Sequence, residues 1–230
     1  MKKLFLIFFI PALFGYNAEG QTCKSIQLKK GAEMEFKTYN HKDKFLNSCK
    51  QKVTDLQTTS SGWVAQMNSQ SFNDKDKLVS SQDFVVKCEN DVILVDMKQM
   101  LNSEQMKSFQ NTEMKVTGDQ LDFPSNPQAG QQLKNGTISV TAASKGGPNL
   151  FSMNITVSNR KVEAIEQITT PAGTFQCVKI SYDVESKMLF TTRSHTVQWF
   201  CPELGLSVRT EIHDKKGELQ DYTVLNSITK

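Results

Sequence analysis

Five cysteines are the residues of this 230-residue chain best suited to covalent chemistry. They follow neither a CxxC spacing nor a mixed Cys/His spacing, which would indicate a zinc site or thiol exchange. In an oxidising compartment the first interpretation of such cysteines is a set of structural disulfides. Because the count is odd, at least one thiol stays free, buried or intermolecular. The disulfide candidates are Cys23, Cys49, Cys88, Cys177 and Cys201.

The three histidines offer little support for catalysis or metal binding. His41 and His213 fall in expected hairpin tips, and His195 falls in an expected strand. None belongs to a metal-binding spacing such as HExxH, and the chain lacks a Gly-x-Ser-x-Gly elbow, a phosphate-binding glycine loop and a calcium-loop pattern. We therefore predict no catalytic residue, no metal site and no cofactor.

The first twenty residues predict export. Lys2 and Lys3 precede an apolar run over 4–13, and Ala18 and Gly20 place small residues before a cleavage site at Gln21. This is the pattern of a secretory signal peptide, and it is shorter than the roughly 20 apolar residues of a spanning helix. The mature protein is expected in the periplasm, outside the cell or at its surface, without a transmembrane segment.

Charge and composition exclude some partners. The formal net charge is only +3, and the lysines are scattered among acidic residues. Nucleic-acid-binding proteins concentrate basic residues on one face or in one run, so we expect no nucleic-acid partner.

Lipid attachment at Cys23 is disfavoured, because Gln21 and Thr22 stand where a lipoprotein signal needs small residues.

Hydrophobic alternation runs through most of the chain. Apolar residues recur at every second position around residues 63–67, 151–157 and 178–184, with polar residues between them. A period of two indicates half-buried antiparallel strands. The expected fold is all-β with minor α: one curved antiparallel sheet, a half-barrel or open barrel, in a single domain over 21–230.

Turn signals separate the expected strands. Asn135-Gly136 is the strongest, because both residues accept the positive φ of a type I′ hairpin turn, and Asn90-Asp91 is another. Three charged segments, 39–45, 72–78 and 212–218, share one design and predict solvated hairpin tips. Gly217 suits a left-handed bulge position there, which Lys44 and Lys77 would adopt at some cost.

One segment breaks the alternation. Apolar residues at a partial helical spacing predict a helix near residues 99–110, packed against the concave side of the sheet. A helix that simply plugs one face of the curved sheet is the favoured interpretation, and methionines on one short face that adapt to an apolar ligand are the alternative. The groove candidates are Trp63, Met97, Met100, Leu101, Met106, Phe109 and Trp199.

Topology favours one disulfide. Cys23 precedes the first expected strand and Cys88 ends a strand before the helix, so a bridge would tie the N-terminus to the sheet. A Cys177–Cys201 bridge across an expected hairpin is the rival, and Cys49–Cys201 is also open. Each choice leaves one thiol unpaired.

The distal third carries a family resemblance. Residues 168–175 read Ile-Thr-Thr-Pro-Ala-Gly-Thr-Phe, with Cys177 after them and Val197-Gln198-Trp199-Phe200 further on. These strings resemble the TapB-like family of exported bacterial proteins of unknown function. The resemblance implies a half-barrel like that of the periplasmic lipoprotein carriers, with a concave apolar groove, and it implies no catalytic residue.

Two classes of function follow. The first is a non-catalytic exported protein that binds a lipid or another apolar molecule in the concave groove. The second is a structural or interaction module of an envelope or secretion assembly, with an envelope protein as partner and no small ligand. An open apolar cavity would favour the first class. A packed interior with an exposed apolar patch would favour the second, and an enzyme is a distant third.

Overall fold

Thirteen antiparallel strands form one sheet in the computed structural model, which describes residues 23, 26–97, 113–124, 127–143, 147 and 149–229. The strands are β1 Glu33–Asn40, β2 Phe45–Thr59, β3 Gly62–Asn73, β4 Leu78–Glu89, β5 Val92–Asp96, β6 Glu113–Gly118, β7 Gln120–Pro124, β8 Gly136–Ala143, β9 Asn149–Thr170, β10 Gly173–Lys187, β11 Thr191–Cys201, β12 Leu206–His213 and β13 Leu219–Thr229.

The sheet curls back on itself and nearly closes into a barrel. The strand order is β6-β8-β9-β10-β11-β12-β13-β1-β2-β3-β4-β5-β7. β6 and β7 therefore stand at opposite ends of the order, yet only Asp119 separates them along the chain. A sheet of so many twisted strands cannot stay flat, and this short corner brings its two ends together.

The inner face of the barrel is an apolar core. Trp63, Cys88, Ile93 and Phe123 form one row across β3, β4, β5 and β7, and all four are buried. Phe123 stacks on Phe200 of β11, with ring centroids 4.2 Å apart. Since β7 and β11 are far apart in the strand order, this contact crosses the interior and closes the barrel from within.

The alternation in the sequence is confirmed by burial. Trp63, Ala65 and Met67 are buried on β3, and Val178, Ile180 and Tyr182 are buried on β10. The predicted all-β class and curved antiparallel sheet are confirmed. The helix predicted near residues 99–110 lies outside the described residues, as do Met100, Leu101, Met106, Phe109 and the leader over 1–20.

One predicted turn is wrong and another is confirmed. Asn135-Gly136 does not form a hairpin: Gly136 starts β8 after the connection over 127–135. A Cβ at this position would lie 2.9 Å from the end of the Leu121 side chain and 3.0 Å from the Met97 sulfur. The type I′ turn is formed instead by Asn90 and Asp91, whose φ values of 51° and 63° are both positive.

The predicted Cys23–Cys88 disulfide is present, with Cα atoms 5.5 Å apart and a sequence separation of 65. Gly62 makes room for it, since a Cβ there would lie 2.1 Å from the Cys88 carbonyl oxygen. The Cys23 N–H also donates to Asp91 Oδ1 over 3.2 Å. The bridge thus fixes the start of the described chain beside the β4–β5 turn.

Candidate functional site: the hairpin end of the sheet

Four hairpin connections meet at one end of the barrel. Neighbouring strands alternate in direction, so the β1–β2, β3–β4, β10–β11 and β12–β13 connections share one end. We call residues 41–44, 74–77, 188–190 and 214–218 the hairpin end. The Cys23–Cys88 disulfide and the β4–β5 turn lie at the opposite end of the sheet.

Three of these connections are built in the same way. In each, one Asn or Asp oxygen accepts two backbone N–H groups of the turn: Asn40 from Lys42 and Lys44, Asn73 from Lys75 and Lys77, Asp214 from Lys216 and Glu218. The predicted hairpin tips are therefore confirmed, and their shared design has a common cause: an Asx side chain that stands in for a backbone acceptor.

The left-handed position in these turns differs from the prediction. Gly217 has a φ of 81°, as expected, but the matching residues are Asp43 and Asp76, with φ of 58° and 56°. Lys44 and Lys77 come one residue later, directly before β2 and β4 begin. The equivalence follows from the Asx residues, since each left-handed residue stands three positions after one. Asp tolerates this conformation better than Lys does.

The fourth connection is apolar and exposed. Met188, Leu189 and Phe190 link β10 to β11 and are 48%, 84% and 80% exposed. Leu78 and Ile212 are exposed at the same end, and among the described residues only Ile165 is a large exposed apolar side chain elsewhere. Single exposed apolar residues are common, but three consecutive ones at a projecting tip mark an interaction surface.

Basic residues surround this apolar tip. Lys187 and Arg193 flank it and share Glu185, at 2.8 Å and 2.5 Å. The adjoining β12–β13 tip carries Lys215 and Lys216, both exposed. The nearby Asp214 is occupied by the two backbone N–H groups of its own turn. The hairpin end therefore combines an apolar point with six lysines and five acidic residues, and Lys215 and Lys216 are the lysines of the adjoining tip.

The tip over 188–190 was not predicted from the sequence. Three consecutive apolar residues stand there between Lys187 and Thr191, where the other hairpins carry polar turn residues. A short apolar run is compatible with a strand as well as with a turn. Hydrophobicity alone therefore does not identify these residues as a hairpin tip.

A shallow cleft of about 620 Å³ lies beside the tip. It is lined by Ser158, Asp183, Val184, Glu185, Arg193, Ser194, His195, Asp214, Lys215, Lys216 and Gly217. His195 Nδ1 lies 2.9 Å from Asp183 Oδ1, and Asn159 Nδ2 donates to Asp183 Oδ2 over 2.8 Å. The Asn159 amide and the His195 ring hold the pKa of the Asp183 carboxyl below its ordinary value.

Ser158 and Ser194 line the same cleft as this His–Asp pair, within the described part of the chain. No serine or cysteine there hydrogen-bonds to the His195 ring, although nucleophilic catalysis requires such a contact. Within the same residues, no group of three or more His, Cys, Asp or Glu side chains is placed to hold a metal ion. The pair is an outer-face polar contact that orients two strands.

The model of the DUF3108-like family matches residues 29–225 of this chain, which include nearly the whole sheet. The chain belongs to the DUF3108-like family. No curated protein matches it in sequence.

Two crystal structures are similar to this DUF3108-like chain. One is a candidate exported protein with a YmcC-like fold from Bacteroides fragilis NCTC 9343, 24% identical, with a TM-score of 0.76 over 90% of this chain and 99% of that one. The other is a candidate lipoprotein from Parabacteroides distasonis ATCC 8503, 26% identical, with a TM-score of 0.77 over 91% and 100%. The nearly closed sheet is thus a fold shared with these proteins.

Three of the predicted groove residues, Trp63, Met97 and Trp199, belong to the described part of this DUF3108-like chain, and they do not share one face of the sheet. Trp63 and Met97 are buried on the inner face, where Trp63 packs close to Gly205 and Met97 close to Gly136. Trp199 points to the outer face, since it alternates with Phe200. Its indole N–H donates to Glu166 over 2.7 Å. Their part in a groove stays a prediction.

Within the described part of the chain, no helix has the length and apolar character that a membrane-spanning helix needs.

Proposed function

We propose that this protein is an exported, non-catalytic interaction module of the cell envelope, and that its hairpin end binds the anionic surface of a lipid bilayer. The observation that carries the proposal is the exposed Met188-Leu189-Phe190 tip with Lys215 and Lys216 beside it. Apolar side chains at a projecting point suit the acyl boundary of a bilayer, and lysines around them suit its headgroups.

The expected binding to membranes is weak and reversible. Fully burying a Leu, Met or Phe side chain contributes about 1.5–3 kcal/mol, so this tip contributes on the order of 5 kcal/mol before association costs. A single short acyl chain binds membranes with similar weakness and needs a second attraction for stable anchoring. Each lysine near an anionic surface adds about 1 kcal/mol, which makes the basic residues of the hairpin end the second attraction.

Packing inside the barrel supports a surface rather than an interior site. Trp63 packs near Val86 and Gly205, and Phe123 stacks on Phe200. Side chains therefore already fill this part of the concave face. A packed interior with an exposed apolar patch is the combination that favours an interaction module.

Several observations support export. The similarity of this DUF3108-like chain to a candidate exported protein and a candidate lipoprotein agrees with the leader predicted over 1–20, while the finer assignment to the TapB-like family stays a prediction. The Cys23–Cys88 disulfide agrees with an oxidising compartment. Because this bridge uses the Cys23 sulfur, the same atom is not free for a lipid thioether. We place the mature protein in the periplasm or at the cell surface, attached to membrane through its hairpin end.

Vesicle sedimentation tests this function. The mature protein should pellet with vesicles of phosphatidylethanolamine and phosphatidylglycerol, and should stay in solution with phosphatidylcholine alone. The Leu189→Ser/Phe190→Ser variant should lose most of its binding, at least tenfold, because it removes the apolar point. Ile165→Ser removes an exposed apolar side chain from the opposite part of the sheet and should bind like the wild type.

Two matched double variants test the contribution of the lysine charges to vesicle binding. Lys215→Gln/Lys216→Gln should weaken binding several-fold and reduce its dependence on salt. Lys29→Gln/Lys30→Gln makes the same change of charge at the other end of the barrel and should leave binding unchanged. Equal effects of the two pairs, or no sedimentation of the wild type, would contradict the proposal.

A second candidate is the carrier of a lipid or other apolar molecule in the concave groove. The apolar character of the inner face, with Trp63 and Met97 on it, favours this candidate. Native mass spectrometry of protein purified from its own envelope should then detect a bound lipid. Leu189→Ser/Phe190→Ser should retain that lipid if the groove holds it, which separates the two functions.

A further inference from the structure

Cys177 and Cys201 are free cysteines on two paired strands. The β10–β11 register ends with Val178 opposite Phe200, and continuing it by one residue places Cys177 opposite Cys201. Opposite residues of an antiparallel pair have Cα atoms about 4.5–5.5 Å apart, and a disulfide requires about 4.4–6.8 Å. The register thus brings the two cysteines within the range of a disulfide.

The two thiols influence each other. Contact with the Cys177 thiol holds the pKa of Cys201 below its ordinary value, while the same contact and burial raise the pKa of Cys177. Each cysteine also has a hydrogen bond of its own: the Cys177 thiol donates to the Phe175 carbonyl oxygen over 3.6 Å, and the Cys201 carbonyl oxygen accepts the N–H groups of Leu204 and Gly205 in the β11–β12 turn.

Burial decides when such a bond could form. Cys177 and Cys201 are 0% and 1% exposed and belong to the apolar core cluster. An oxidant cannot reach them in the folded barrel, so oxidation must precede the final packing of β10 and β11. Once formed, the bond would be shielded from reductants by the same packing.

Cys49 is the remaining cysteine, because Cys23 and Cys88 are already bonded. Its sulfur lies 3.1 Å from Ser69 Oγ, and burial raises its pKa above the ordinary value. Its partners in the sheet are Phe36 on β1 and Ser71 on β3, so no cysteine lies opposite it. Cys49 is therefore the cysteine that remains reduced, and this accounts for the odd count.

We propose that Cys177 and Cys201 form a second disulfide during folding after export, with Cys49 as the free thiol. The two thiols lose two protons and two electrons as the sulfur–sulfur bond forms. The electrons reduce the disulfide of a thiol–disulfide oxidant, through a mixed disulfide on Cys201, and release its two thiols. Oxidised glutathione can serve as this oxidant in refolding.

Peptide mapping without reduction tests the proposal. Protein purified from the envelope or the medium is denatured in an alkylating agent and digested. We expect a peptide pair joined at Cys177 and Cys201, a second pair joined at Cys23 and Cys88, and alkylation of Cys49 alone. Alkylated Cys177 and Cys201 in protein whose Cys23–Cys88 bridge is intact would overturn the proposal, as would a bridge from Cys49 to either of them.

Refolding provides a second test that does not depend on export. Reduced, unfolded Cys49→Ser protein refolded with oxidised glutathione should consume all four remaining thiols. The second disulfide would close a loop with a sequence separation of 24. The thermal midpoint of the oxidised Cys49→Ser protein should therefore exceed that of the Cys49→Ser/Cys177→Ser/Cys201→Ser variant by on the order of 10 °C. If both proteins melt within about 2 °C and Cys177 remains reactive after refolding, the second disulfide is excluded.

Discussion

Arg160 of β9 donates a hydrogen bond from Nη1 to Asp122 Oδ1 of β7 over 2.7 Å, although Arg160 is only 1% exposed. It also donates to the backbone carbonyl oxygens of Lys134 and Asp122, and its guanidinium lies 5.0 Å from the Phe123 ring. In the strand order β9 is third and β7 is last. One buried cation thus joins the two ends of the sheet.

Removal of the Asp122 carboxylate should destabilise the barrel. Asp122→Ala leaves a buried guanidinium without its counterion, which should lower the free energy of unfolding by about 2–4 kcal/mol in a urea titration. The partial exposure of Asp122 places the effect below that of a fully buried pair. Combining Asp122→Ala with Arg160→Met should cost less than the sum of the two single changes. A loss under about 1 kcal/mol for Asp122→Ala would contradict this role.

The left-handed turn positions predict a contrast between neighbouring residues. Asp76→Gly should leave stability unchanged or raise it slightly, because glycine accepts the φ of 56° freely. Asp76→Val should lower the free energy of unfolding by about 1–2 kcal/mol, since a β-branched residue resists that conformation. Asp74→Val, two residues earlier, is the control and should have little effect. Equal losses at both positions would show that backbone strain is not the cause.

The Cys23–Cys88 disulfide should be the strongest single covalent contribution to stability. Its 65-residue separation corresponds to about 4 kcal/mol in the chain-entropy model. Cys88→Ser should therefore shift the urea midpoint far below that of the wild type, whereas Cys49→Ser should shift it little. A Cys88→Ser variant as stable as Cys49→Ser would mean that the bridge does not constrain the unfolded chain.

The Asp183 contact predicts a pH dependence. Its folded-state pKa lies below the ordinary value of about 3.9, so the contact stabilises the fold fully above that value. This contribution is lost as the pH falls through the folded-state pKa. Between about pH 5 and pH 2 the wild type should lose more stability than Asp183→Asn, which cannot titrate. Parallel losses in the two proteins would contradict the assignment.

Much of this fold could be predicted from residue patterns because its strands are half-buried. Trp63, Ala65 and Met67 alternate with polar residues, and the structure buries each of them. The hairpin tips were equally visible, since Asn73 and Asp214 are typical turn residues. The I′ turn at Asn90-Asp91 was one of several signals, and the stronger Asn135-Gly136 signal failed. Gly136 instead starts β8, where it lies beside the side chains of Met97 and Leu121.

The residues of the candidate site were harder to predict from the sequence than the strands were. Met188-Leu189-Phe190 has the composition of a strand, and only the β10–β11 pairing makes it a tip. Arg160 likewise looks like any surface arginine, because its counterion Asp122 comes from a strand that pairs elsewhere. Both features depend on which strands become neighbours, and no local pattern encodes that information.

Membrane contact by the hairpin end is tested most directly at residue 190. In Phe190→Trp an indole replaces an exposed phenyl ring, while Trp63 and Trp199 stay buried and provide the background of the wild type. The fluorescence of the introduced indole above that background should shift to the blue with phosphatidylglycerol-containing vesicles and be quenched by brominated acyl chains. Unshifted, unquenched fluorescence at lipid concentrations that saturate sedimentation would contradict insertion of the tip.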